Sequence, residues 1–267
     1  MVVTVVAVLL ALVAGLLANR FVRDRVVGPD AEGTTVRDLL SPLETLAVLV
    51  LAFVLVAASE SFGEAEDSAR VEANMVDHLF EVAEYAPAAN RERIQADAVC
   101  YARAVRSLEW PAMAEGKSSA EASVWTTDLR AAFKEMDTDS APFEMLVEAD
   151  KERSSGRQQR LAESTPAIPD VVYLFMLVTL MIMVAAFAFS LPRRRNRAEV
   201  VTLTVLTALL TLSLLLIRDV DRPFAGVITV SSEPMSLTAD DITEDFVKAY
   251  GQERIPCDEE GRKVAAG

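Results

Sequence analysis

Residues 171–191 read VVYLFMLVTLMIMVAAFAFSL, from Val171 to Leu191, without an Asp, Glu, Lys, Arg or His. A helix rises ~1.5 Å per residue and a bilayer's hydrocarbon core is ~30 Å thick, so roughly 20 such residues cross it. Three more uncharged runs flank this one: Val200–Ile217 just after it, and Val2–Ala18 and Thr45–Ser59 near the start of the chain. Val2–Ala18 and Val200–Ile217 sit at the short end of the spanning range. Thr45–Ser59, bounded by Glu44 and Glu60, needs flanking residues to reach. Four such runs in 267 residues exceed what one water-soluble core could hide. The expected architecture is an all-α membrane protein, with four transmembrane helices in two pairs and a helical extramembrane insert between the second and third. Residues 1–59 hold the first pair and its loop, 60–168 the insert, 169–218 the second pair and 219–267 a tail.

Charge separates the chain into two materials. It carries 26 Lys and Arg against 40 Asp and Glu, for a net charge of −14. The insert has 22 acidic and 12 basic residues, and the segment from Arg218 onward 11 and six. So acidic a chain is unsuited to nucleic acid, whose phosphates demand basic partners. The bilayer itself is the partner the four runs require. Basic residues cluster in the two short loops: Arg20, Arg23 and Arg25 after the first run, and Arg193, Arg194, Arg195 and Arg197 after the third. Short loops rich in Lys and Arg stay in the cytoplasm, which predicts that the insert and the C-terminal tail are extracytoplasmic. Only Met1 precedes the first run, so it reads as a retained anchor rather than a signal peptide. Cys100 and Cys257 then share the oxidising side, which makes them a candidate disulfide; two unrelated thiols are the alternative.

Along the first run, Thr4, Ala7, Ala11, Gly15 and Ala18 form a face of small residues that lets another helix approach closely. Gly28-Pro29-Asp30 and Gly33 mark a loop. Beyond Glu60 the second span is expected to continue as one helix, with Phe62, Ala65, Ala69, Ala73, Val76 and Phe80 on one stripe and Glu60, Glu64 and Asp67 opposite. Past Arg70 the second face turns apolar (Val71, Met75, Val82), which predicts packing on both sides, with His78 packed there. Pro87 interrupts the pattern and Asn90 is read as the cap of a helix ended by Pro111. Helices are expected from Ser118 or Ser119 to about Met136, and from Asp139 or Ser140 toward Leu161, with Gly156 weakening the latter. Asp221-Arg222-Pro223-Phe224 turns the chain, Gly226–Ser231 is a short β-like run, and a helix is expected over about Thr238–Tyr250, with a frayed end from Asp258.

Signals of enzyme chemistry are weak throughout the sequence, and no enzyme is expected. One histidine and two distant cysteines exclude the common zinc spacings, so neither metal nor cofactor is expected. Gly116-Lys117-Ser118 imitates the end of a phosphate-binding loop, but Pro111 stands where that loop requires glycine. The spans contain none of the carboxylates that mark coupled transporters. Thr204, Thr207 and Thr211 share one face of the fourth span, as candidates either to line a pore or to bond their own helix. Glu60, Glu64 and Asp67 are a solvated face on a monomer; repeated around a symmetric oligomer they become rings of negative charge at a pore mouth.

Several short motifs occur in a distinctive order. They are Val50-Leu51-Ala52-Phe53-Val54, Glu72-Ala73-Asn74, Glu109-Trp110-Pro111, Arg157-x-x-Arg160-Leu161, Ile168-Pro169, and Asp221-Arg222-Pro223-Phe224-x-Gly226. In order and spacing, from about Leu46 to Val230, the chain resembles the bestrophin-like family of bacterial multi-pass membrane proteins. That family is distantly similar to the bestrophins, oligomeric anion channels built from four spans and a helical insert. The resemblance implies a homo-oligomer that passes inorganic ions. Bacterial bestrophins carry a basic, aromatic stretch at the end of the second span, whereas Ser59–Asp67 here is acidic and nearly without aromatics. Bestrophins also keep their insert in the cytoplasm, opposite to the orientation the arginines predict. Two functions are therefore expected: an ion channel with an acidic outer mouth, or a membrane-anchored interaction or sensing module that does not conduct.

Overall fold

The computed structural model of the chain describes residues 2–22, 36–191 and 197–264. In chain order its helices are α1 (Val2–Phe21), α2 (Val36–Val82), α3 (Ala88–Ala104), α4 (Trp110–Met113), α5 (Ala120–Lys134), α6 (Ala141–Ala162), α7 (Asp170–Ser190), α8 (Arg197–Val220) and α9 (Glu233–Tyr250). A π turn at Val105–Glu109 joins α3 to α4. The fold is all-α, and four helices are long and apolar enough to cross a membrane: α1, α2, α7 and α8. The chain is a multi-pass membrane protein. It divides into two compact units, Met1–Glu60 with Ala167–Asp221, and Ser61–Pro166 with Arg222–Gly267. The loop at Gly28-Pro29-Asp30 and Gly33, and the arginines at 23, 25, 193, 194 and 195, lie outside the described residues.

Small residues organise the membrane unit. Thr4, Ala11 and Gly15 are buried on α1, and Ala7 and Ala18 are half-buried. A Cβ added at Gly15 would stand 2.4 Å from the Ala185 carbonyl oxygen and 2.8 Å from the Ala188 Cβ, so only glycine allows α1 and α7 this approach. Lipid gives no net drive to bury apolar surface, so close van der Waals contact and hydrogen bonds must hold the pair. The Thr4 hydroxyl and the Tyr173 phenol are 2.8 Å apart, and the Asn19 amide donates to the carbonyls of Phe189 and, at 2.9 Å, Leu191. Val8, Met176, Leu180, Val184, Leu214 and Ile217 form the unit's core. The Asp221 carboxylate accepts from the Ile168 N–H at 2.9 Å, joining the chain just before α7 to the chain just after α8.

In the extramembrane unit α2 continues without a break, and Ala65, Ala69, Ala73, Val76 and Phe80 are buried along one side. Alanine-rich α3 lies at the centre: every residue from Ile94 to Val105 is buried. One core joins it to α2, to Trp125 of α5 and to Met235, Ala239, Ile242 and Phe246 of α9. A second core gathers Leu79, Val82, Ile94, Leu129, Phe133, Met136 and Leu146. Cys100 and Cys257 are joined by a disulfide, Cα to Cα 5.8 Å, that ties the centre of α3 to the segment after α9.

Several local expectations are corrected. The helix after Pro87 starts at Ala88 rather than at an Asn90 cap, and the Asn90 amide donates instead to the Ala132 carbonyl at 3.1 Å. Pro111 does not stop the helix: the π turn changes the hydrogen-bond register, and Pro111 falls in the first turn of α4, where a missing N–H is no loss. Ser119 does cap α5, accepting from the Glu121 N–H at 3.2 Å. Gly156 is a packing site, not a weak point, since a Cβ there would lie 3.1 Å from the Glu72 Cα. Val71 and His78 are exposed, because no described element covers the second face of α2 at those positions. Gly226–Ser231 forms no strand; its turn is closed by the Val230 N–H donating to the Pro223 carbonyl at 2.8 Å. α9 begins at Glu233, five residues before the expected start, with Pro234 in its first turn. The end does not fray up to Val264: Cys257 bridges Lys263, and the Asp258 carboxylate caps the N–H groups of Glu260 and Arg262 at 3.1 and 2.7 Å.

Candidate functional site

Helical periodicity on α2 decides the setting of the acidic stripe. Glu60, Glu64 and Asp67 are all exposed, on the side of α2 away from its buried alanines. Arg70, one turn on, reaches back to Glu66 and to Asp67, the latter at 3.2 Å. Exposed pairs of this kind contribute about 0–1 kcal/mol and leave the local field negative, with four carboxylates against one guanidinium. On α8 the hydroxyls of Thr204 and Thr211 donate to their own helix, to Val200 at 2.8 Å and Thr207 at 2.7 Å. The Thr207 side chain is buried, and its hydroxyl has no hydrogen-bond partner among the described residues.

The sequence did not reveal what stands behind the acidic stripe. Glu72, one turn beyond Ser68 on α2, is fully buried and faces Arg160 of α6. Arg160 binds both Glu72 oxygens, one at 3.1 Å, and donates to Glu109 at 2.6 Å. Arg157, a turn earlier, grips Glu109 with two bonds of 3.1 and 2.6 Å. The Tyr101 phenol donates to Glu72 at 2.5 Å, and the Ser119 N–H to Glu109 at 3.2 Å. Arg160 also lies over the Trp110 ring at 5.2 Å, Trp110 meets Phe224 edge to face at 5.5 Å, and its indole N–H donates to the Val230 carbonyl at 3.3 Å. Residues of four motifs scattered along the sequence therefore converge in one cluster: Glu72, Glu109, Trp110, Arg157, Arg160 and Phe224. Close approach is possible because Gly156 lets α6 settle against α2, and the π turn aims Glu109 and Trp110 inward.

Two carboxylates and two guanidiniums balance, which is what burial of charge demands. Burial opposes ionisation of Glu109, but the Arg157 hydrogen bond and the Arg160 charge outweigh it and hold the carboxyl below its usual range. Burial opposes the charge on Arg160 too, and Glu72 and Glu109 more than restore it. Tyr101 is pushed up by burial and by the Glu72 charge, and stays a neutral donor. A second buried pair adjoins: Arg153 binds Asp150 through Nε at 3.0 Å and lies 4.4 Å over the Tyr101 ring, while Arg130 reaches the other Asp150 oxygen at 2.8 Å. The cluster clamps α2, α4 and α6 together. The one sequence signal for it was Arg157-x-x-Arg160, whose spacing puts both guanidiniums on one helix face. Among the described residues no group of three or more His, Cys, Asp and Glu is arranged to hold a metal ion.

Comparison with known proteins agrees with this architecture. No curated protein matches the chain by sequence. Among solved structures, a bacterial bestrophin homologue from Klebsiella pneumoniae, crystallised as a point variant, superposes with a TM-score of 0.67, covering 93% of this chain and 97% of that one. At 11% identity that likeness speaks for the fold alone. The model of the bestrophin-like domain matches residues 5–235, most of the chain and every motif quoted above. The chain belongs to the bestrophin-like family.

Proposed function

We propose that the chain assembles as a symmetric homo-oligomer and conducts inorganic ions, with α2 nearest the axis. The observation that carries this reading is the exposure of Glu60, Glu64 and Asp67 on α2, opposite the stripe of that helix packed within its own chain. Copies related by an axis near that face would present rings of carboxylate. Such rings concentrate cations over a Debye length of ~10 Å at 0.1 M salt and lose their effect as salt rises. A permeating ion would then meet Thr204, Thr207 or Thr211 only if α8 also reached the pathway; Thr207, with its unpartnered hydroxyl, is the strongest of the three. Conduction is expected to favour cations, unlike the anion channels to which the family is distantly similar.

The bond between Cys100 and Cys257 supports an orientation with the insert and C-terminal segment outside the cytoplasm, where disulfides persist. The arginine-rich loops would then lie inside. A second reading, a membrane-anchored interaction or sensing module, draws on a cleft of about 850 Å³ between α2 and α9, bordered by Asp77, Glu81, Asp241 and Asp245. Burial and the neighbouring Glu81 and Asp241 raise the Asp77 carboxyl, as expected of a cleft suited to a cationic partner.

The test is conductance of purified protein in planar bilayers. Replacing Glu60, Glu64 and Asp67 by Gln, Gln and Asn should lower cation conductance several-fold at about 20 mM salt and leave it nearly unchanged at about 1 M. Protein that purifies as a monomer and never conducts would favour the second reading. Anion selectivity indifferent to these changes would overturn the acidic mouth.

A further inference from the structure

The segment after α9 crosses α3 as a strap, residues 257–264, on the face of that helix that carries the buried carboxyl of Asp97. Cys257 is bonded to Cys100, and Gly261 lies so close that an added Cβ would stand 2.3 Å from the Ala104 backbone nitrogen. Its positive φ of 83° and the Trp125 indole N–H donating to its carbonyl at 2.6 Å hold it there. Asp97, Cys100 and Ala104 share one face of α3, at helical spacing. Asp97 is 4% exposed, and its Oδ2 has no hydrogen-bond partner among the described residues. The charged groups around it are Arg93 on α3, Asp128 on α5 and Lys263 on the strap. Both cations are committed elsewhere, Lys263 to Asp128 at 2.6 Å and Arg93 to Glu135 at 2.8 Å. An ionised Asp97 would thus find a second carboxylate beside it and, among the described residues, no uncommitted cation.

We propose that the strap is a proton-controlled latch, closed over Asp97 while that carboxyl is protonated and opened by the ionised carboxylate's demand for water. The disulfide would act as its hinge, because Cys257 stays fixed to α3 while residues 258–264 lift away. Burial, reinforced by Asp128, pushes the Asp97 carboxyl up to about 7, against the pull of Arg93 and Lys263. In the open form it returns to an ordinary carboxylate value of about 4. Ionisation therefore favours opening, and the opening constant climbs about tenfold per pH unit between these two values, then levels off above about 7.

Hydrogen exchange of strap amides in the full-length, disulfide-intact protein in detergent reads that constant. The ratio of wild type to Asp97→Asn, which cancels the intrinsic pH dependence of exchange, should rise about fiftyfold from pH 5 to 7 and by no more than about twofold from there to pH 8. In the Lys263→Gln background, compared with its own Asp97→Asn double, the bend should move to higher pH, because the charge that lowers the closed-state value is gone. If Asp97→Asn does not fold, wild-type rates corrected for intrinsic exchange must show the same rise and bend. A ratio constant from pH 5 to 8, one falling with pH as Lys263 turned to Asp97, or a bend unmoved by Lys263→Gln would overturn the latch.

Discussion

Arg160→Met isolates the energetics of the buried cluster. The guanidinium is fully buried and makes three hydrogen bonds to carboxylates, two to Glu72 and one to Glu109. Methionine fills most of the volume and leaves those acceptors behind. Glu109 keeps the bidentate Arg157 and the Ser119 N–H, but Glu72 keeps only the Tyr101 phenol. The cost is therefore dominated by one uncompensated buried carboxylate, about 3–5 kcal/mol. Both tryptophans of the chain, Trp110 and Trp125, lie in the extramembrane unit, so their fluorescence follows the unfolding of that unit alone. For a unit of this size the thermal midpoint should fall on the order of 10 °C. Adding Glu72→Gln to Arg160→Met removes the orphaned charge and should recover at least 1 kcal/mol of the loss, a non-additivity read from a double-mutant cycle. A single-variant cost below about 1 kcal/mol, or a double variant as unstable as the sum of its parts, would refute the view of Arg160 as the counter-charge of Glu72.

Reducing the Cys100–Cys257 bond frees a loop with a sequence separation of 157, for which chain entropy sets an upper bound of about 5 kcal/mol. Tryptophan-detected melting with and without reductant reads it, and free thiols at both positions in protein taken from its native membrane would sink the bond itself. Gly15→Leu forces α1 from α7 at the Ala185 carbonyl and should cost about 1–3 kcal/mol, seen as an earlier far-ultraviolet circular-dichroism melt in detergent; an unmoved midpoint would mean the contact carries no weight. Cysteine at Ser118, which is exposed, should react with a membrane-impermeant thiol reagent in intact cells, and cysteine at Asn196 should not. The opposite labelling pattern would reverse the proposed orientation.

The membrane spans were legible because their signal is the absence of charge, which needs no partner to be read. The continuation of α2 was legible for a related reason: Ala65, Ala69, Ala73 and Val76 repeat at helical spacing, and the structure buries all of them. The clamp was not legible. Glu72 and Arg160 are 88 residues apart, and nothing local in either motif announces the other. Pro111 misled because proline stops a helix only where its N–H is required, and a π turn removed that requirement. His78 misled because the apolar neighbours Val71 and Met75 implied a cover, whereas Val71 and His78 are exposed and Met75 is only half-buried. Gly226–Ser231 had strand-like residues but no strand to pair with, and a lone strand is not stable.

The strap and α9 also set an order of events during synthesis. The core of the extramembrane unit is built from residues 73–125 and completed by Met235, Ala239, Ile242, Phe246 and Cys257. Between these two contributions the ribosome makes both α7 and α8. The apolar side of α3 therefore waits, uncovered, until the second pair of spans has been made and the final helix is free to dock. Cys100 likewise waits as a thiol for more than half the length of the chain before its partner exists. Assembly of this unit is a late, long-range closure rather than a sequential one, and the interval before it is when the growing chain is most exposed to a wrong partner.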